Sequence, residues 1–276
     1  RRMLSIALAF LLMPCVLGLR SPDERYWLES DSLPDDTRFI PAVGNGHIAT
    51  QVYQDTVYMN NVYNGAGMDS HRARINSPVA IRPVLAGATE GYTLDMYSGV
   101  FIGEFESGEA RVVQHLYAHR SRTRLLVSEV TVERTGPEDA PLEVALELDW
   151  GPDSPDVDLE EDDTNTPKMY TFGETIEPEF NHTDPIPVHM YWTAVPSSVT
   201  LPPGNVSQTW YFLASLSIDK EDAETAYDQA VAEAGSLYQE HAQAWEALWQ
   251  DGRVEVEDNV TLAQTINACF FHIMIS

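Results

Sequence analysis

The chain has 276 residues and a formal charge of −27, from 43 acidic against 16 basic side chains. So few Lys and Arg exclude a nucleic-acid binder and disfavour an anionic membrane surface, because both ligands recruit cations. With 43 % apolar and 10 % aromatic residues the chain can bury one large or two medium cores, and a neutral polar ligand such as a sugar stays compatible with its charge.

Residues 1–19 read as a leader. Arg1 and Arg2 form a basic start, 3–19 is an apolar run broken by Pro14, and Val16 and Gly18 offer short residues at cleavage spacing. A membrane-spanning helix needs about 20 clean apolar residues, more than this run holds. The expected route is secretory, with an extracellular or lumenal product and no membrane attachment after cleavage. If the leader belongs to a faulty gene model, the location is cytoplasmic. The first residue is not Met, and the chain reads as a piece of a longer protein. Asn181, Asn205 and Asn259 each open an acceptor sequon, so each is either a glycosylation site or an ordinary loop asparagine. The only cysteines are Cys15 and Cys269, and cleavage would leave no internal disulfide.

Residues 20–218 read as β. Leu142, Val144, Leu146, Leu148 and Trp150 alternate with Glu143, Glu147 and Asp149, the pattern of a strand with one wet face. Further strands are expected at 47–53, 56–60, 111–119, 125–134, 188–195 and 208–218, rich in β-branched and aromatic residues. Turn residues such as Gly44-Asn45-Gly46, Asn64-Gly65 and Ser107-Gly108 separate them. Many strands without an intervening helical pattern predict a mainly β fold, a large antiparallel sandwich. Between 153 and 163 seven acids crowd among prolines, and no turn glycine supports a calcium loop. The expectation there is a solvated, self-repelling loop.

Residues 219–252 read as linker helices. Asp219 is the expected N-cap, with acids in the first turn and an apolar stripe from Ala223 through Ala226, Tyr227, Ala230, Val231, Ala234, Leu237, His241 and Trp245 to Leu248. Gly235 splits the stretch and Gly252 stands just past its end. Residues 253–276 begin another, mostly apolar helix whose inner face, at 262–275, is expected to lack a partner.

Several segments now carry a resemblance: 39–47 with Gly44-Asn45-Gly46-His47, Val62 to Gly65, Ser70-His71-Arg72-Ala73-Arg74 with Ser77-Pro78, and His241, Trp245, Leu248 and Trp249 followed by a short strand at 254–256. Together they resemble the N-terminal part of glycoside hydrolase family 65. The resemblance implies a galactose-mutarotase-like β-supersandwich, a helical linker and an (α/α)6 barrel, here cut off at its start. Family members cleave α-glucosides with inversion, as hydrolases or phosphorylases. One branch removes glucose from glucosyl-galactosyl-hydroxylysine of collagens; trehalose- and kojibiose-type activities are alternatives. The general acid belongs to the barrel, so no catalytic residue is expected in this chain, and neither metal nor cofactor is implied.

The implied partners are a carbohydrate substrate and the chain's own barrel. A free-standing carbohydrate-binding module is the alternative from another class. Asn45 either presents its side chain to sugar or barrel, or simply tolerates a turn. His71 and Arg72, in a polar loop over 68–76, either reach over a barrel mouth or form an ion-paired domain contact. Trp245 and Trp249 read as packing residues and His241 as a hydrogen-bonded core histidine.

Overall fold

The computed structural model describes residues 23–137, 139–162, 167–180 and 183–276. In chain order the strands are β1 Trp27–Ser30, β2 Ala42–Gly44, β3 Ile48–Gln51, β4 Thr56–Met59, β5 Tyr63–Asn64, β6 His71–Arg72, β7 Ile75–Asn76, β8 Ile81–Val84, β9 Thr89–Asp95, β10 Val100–Glu106, β11 Ala110–Ala118, β12 Leu125–Arg134, β13 Leu142–Leu148, β14 Val157–Asp162, β15 Lys168–Thr175, β16 Pro187–Thr193, β17 Ser198–Leu201 and β18 Ser207–Ser217. Three helices follow: α1 Lys220–Ala232, α2 Leu237–Asp251 and α3 Val260–Ile275. The leader region and Asn181 lie outside the described residues. Among the described residues no helix is long and apolar enough to cross a membrane, and no three side chains group as metal ligands.

One large antiparallel sheet runs in the order β1-β9-β10-β11-β12-β18-β16-β15-β14. Its inner face packs on two small sheets, β17-β13-β8 and β2-β3-β4-β7. Alternation drives this layering: in β13 Leu142, Val144 and Leu146 are buried while Glu143, Ala145 and Glu147 are exposed. Polar groups inside the sandwich are bonded. Gln114 donates from Nε2 to the Ile81 carbonyl and to Ser128 Oγ, and accepts from Tyr53 Oη at 2.7 Å.

The acidic run departs from expectation. Residues 157–162 form the edge strand β14, paired with β15 from Val157↔Thr175 to Asp162↔Tyr170. Val157 is buried while Asp158, Glu160 and Glu161 are exposed, so charge that suggested a loop instead lines a sheet edge. Charged residues on an edge strand discourage pairing with other chains. The loop expected over 68–76 is paired in part: β6 pairs with β5, and β7 with β4.

The outer face of the large sheet is covered by α1 and α2. Asp219 caps α1, accepting from the Asp222 amide, and Ala223, Tyr227, Ala230 and Leu237 bury against Val127, Tyr191 and Leu213. Helix α2 then carries Trp245 and Trp249, both fully buried, against the β9–β10 turn. Val231, placed on the apolar stripe, is half exposed, and Trp249 rather than Leu248 is the buried residue of the last turn.

Helix α3 also corrects the reading. Its inner face is partnered: Ala263, Asn267, Phe271 and Ile275 are buried, with the Phe271 ring tilted against Trp245 at 5.4 Å between centroids. The exposed face is the opposite one, with Leu262 and Ile273 half to two-thirds exposed. No strand forms at 254–256.

Candidate functional site

The Gly44-Asn45-Gly46 turn is a seat for α3. A Cβ on Gly44 would lie 2.7 Å from the Ile275 carbonyl oxygen, so only glycine permits the approach. Asn45 is buried, and its side chain is fully used. Nδ2 donates to the carbonyls of His119 and Thr123 at 3.0 Å, and Oδ1 accepts from the amides of His47 and Ile48 at 2.9 Å. All four hydrogen-bonding positions of the amide are therefore occupied within the chain. Arg120 completes the joint, donating from Nη1 to the carbonyls of Asn45 and Met274 at 2.9 Å while its guanidinium lies 5.3 Å from the Trp245 ring. Partial burial lowers its pKa. Replacing Asn45 by Ala should lower stability by about 2 kcal/mol, since buried donors and acceptors lose partners. Urea unfolding of the variant against the parent checks this.

His71 and Arg72 form β6 at the surface. With Tyr58 and Arg74 they line a shallow cationic concavity, unusual in so acidic a chain. The organising residue is Asp156, which sequence reading left in the acidic loop. Its carboxylate is 3 % exposed and accepts from Arg74 Nε at 2.6 Å, Arg74 Nη2 at 2.9 Å, the Arg74 amide at 2.9 Å and His71 Nε2 at 3.2 Å. The bidentate Arg74 bonds hold its pKa well below the usual carboxylate range, against the opposing effect of burial. His71 Nδ1 faces the Asp69 carbonyl at 2.8 Å. Both imidazole nitrogens thus meet acceptors, and the pKa is raised, first by the Asp69 carbonyl and then by Asp156. Ser70, Gly65 and Gly67 tie this loop to 177–179, and Met68, Ile176 and Phe180 stand exposed at its rim. Arg72 lines the concavity, exposed and with no carboxylate partner among the described residues. Guanidinium, imidazole and phenol side by side suit hydroxyl or carboxylate oxygens.

A cleft of about 470 Å³ lies between the start of the sandwich, α2 and α3, lined by Asp23, Arg25, Tyr26, Tyr97, Glu246, Arg253 and Glu255. Four of its five charged side chains pair: Asp23 bonds Arg25, and Glu255 bonds Arg253. Arg25 holds Asp23 below its ordinary pKa, the opposite of what a general acid requires. Asn205 and Asn259 are both exposed; Asn259 also caps α3, accepting from the Leu262 amide at 2.9 Å.

No family model matches the chain. The protein-glucosylgalactosylhydroxylysine glucosidase of Gallus gallus is 33 % identical over 250 residues, covering 89 % of this chain and 36 % of the relative. That of Mus musculus is 32 % identical over 259 residues, covering 92 % and 38 %. The chain is a relative of the glycoside hydrolase family 65 glucosidases. It spans little more than a third of the length of the curated relatives it matches. A solved structure provisionally named a kojibiose phosphorylase, from the human microbiome, superposes with a TM-score of 0.63 at 14 % identity, covering 91 % of this chain and 41 % of that one. That likeness supports the sandwich fold.

Proposed function

We propose that this chain is the sandwich and linker of an inverting α-glucosidase acting on glucosyl-galactosyl-hydroxylysine units. The identity of about a third along nearly the whole chain to relatives bearing that activity in their name carries the reading. In this proposal the general acid and the base belong to the helical barrel that the family resemblance implies, where inversion needs a protonated acid opposite a base with room for water. The carboxylates lining the cleft near α3 include two bonded to arginine instead. The sandwich then acts as a platform: the Asn45 turn seats α3, and the His71–Arg72 concavity presents donors to sugar hydroxyls or to the helical body. Exposed Asn205 and Asn259 fit glycosylation in the secretory pathway.

The test is glucose release from glucosyl-galactosyl-hydroxylysine, followed by proton NMR of the first anomer formed. The whole protein should release β-glucose without phosphate, and this chain alone none. Turnover by the chain alone would place the chemistry here instead. A phosphate requirement with glucose 1-phosphate as product would assign the phosphorylase branch.

A further inference from the structure

We propose that the turn at 119–124 is an acid-released latch, in which protonation of His119 and His241 uncouples α2 and the end of α3 from the sandwich. The inference does not depend on the glucosidase reading. Its basis is the direction of four hydrogen-bonding groups. The Arg122 amide donates to His119 Nδ1 at 3.1 Å, and the Arg120 amide donates to His241 Nδ1 at 3.0 Å. Backbone amides of one turn thus fill the proton-accepting nitrogen of both rings. A proton added at either Nδ1 would set N–H against N–H and break the bond. Both side chains are fully buried, so the charge would also lack water.

The surroundings offer little compensation. His241 faces the Gly99 carbonyl, at 3.4 Å from Nε2, and the rings of Tyr117, His119 and Trp245. The nearby charge is Arg120, of like sign to an imidazolium. His119 lies beside Ser121, Tyr117 and Arg122; its Nε2 makes no hydrogen bond, and the Leu237 carbonyl acts on it only weakly. Glu240 faces it from α2 but already pairs, as Glu233 does, with Arg122. Tyr117 gives its hydroxyl to Glu129, which also faces His115, so that carboxylate is engaged one layer away. Burial, followed by Arg122, presses the His119 pKa down to about 4, and burial presses His241 well below its ordinary value.

The same turn holds α3 through Arg120 to the Met274 carbonyl and holds the Asn45 turn through the carbonyls of His119 and Thr123. Releasing two imidazoles therefore frees three attachments together. The sign follows from linkage: both pKa values are lowered on folding, so the contribution is full above the unfolded value near 6.5 and fades as pH falls below it. At pH 5 the release equilibrium should rise about 30-fold for each imidazole.

The experiment compares the purified chain with His119→Asn, His241→Asn and the double variant at pH 7.5 and pH 5. Asn Oδ1 can stand where Nδ1 stood and cannot ionise. Urea midpoints by tryptophan emission give stability; hydrogen exchange across 237–251, corrected for intrinsic rate, locates the opening. The parent should lose midpoint and protection at pH 5, and the double variant should show a clearly flatter pH dependence. Equal slopes in parent and double variant overturn the proposal. Should the variants not fold, nitrogen-15 spectra of the parent decide: in the closed form both rings should stay neutral, protonated at Nε2, to pH 5, and charge should appear only together with loss of protection across 237–251. A charged His119 or His241 ring in folded protein at pH 6 also overturns it.

Discussion

Gly99→Ala should cost about 3–5 kcal/mol and expel Trp245 from its site. Gly99 has φ 68°, and a Cβ there would sit 2.2 Å from the Trp245 indole. Left-handed backbone costs an L-residue roughly 1–2 kcal/mol, and losing a buried tryptophan's packing roughly 3–5 kcal/mol. The two penalties are alternatives in part, since moving the backbone relieves the clash, so their sum is an upper bound. Against a typical domain stability of about 5–15 kcal/mol, the variant should unfold at markedly lower urea, with red-shifted tryptophan emission. Gly235→Ala is the control, because nothing lies within 4 Å of a Cβ there and its φ is not left-handed. A Gly99→Ala midpoint close to that of Gly235→Ala would mean that Trp245 does not pack as described.

Asp156→Ala should cost about 3 kcal/mol at neutral pH. The carboxylate is buried, but Arg74 and His71 are each 46 % exposed and can turn to water, which holds the loss at the low end for a broken buried pair. The pH dependence has a defined sign. Asp156 has a lowered pKa, so its contribution is present above the ordinary carboxylate value and is lost as pH falls through the depressed one. His71 works in the other direction: its raised pKa stabilises the fold below the ordinary imidazole value, and this fades as pH rises through the raised one. In Asp156→Ala the His71 titration should therefore move to lower pH by NMR. An unmoved His71 titration together with unchanged stability would show that the concavity is organised by something else.

β13 was legible because its alternation declares one wet face, and β12, though buried on both faces, because of its β-branched content. β9 and β10 were not, since buried residues follow one another along both and leave no period. β14 was hidden by its acids, which serve the edge rather than a loop. Helix caps were readable at Asp219 because the signal is local. The Asp156–Arg74 pair spans 82 positions and the Arg120–His241 bond 121, and nothing local announces either. For the same reason Asn45 could be placed in a turn from sequence, yet the carbonyls it grips, on the far side of the sheet connection, could not be foreseen.

The seat beneath α3 has a mechanical consequence. One guanidinium clamps the Asn45 and Met274 carbonyls, and the Gly44 backbone lies directly against Ile275. This makes a rivet rather than a hinge: a pull on the last turn of the helix is delivered to the β11–β12 turn without an intervening spring. Slack, if the molecule needs any, has to come from 252–259, the stretch with neither helix nor strand between α2 and α3.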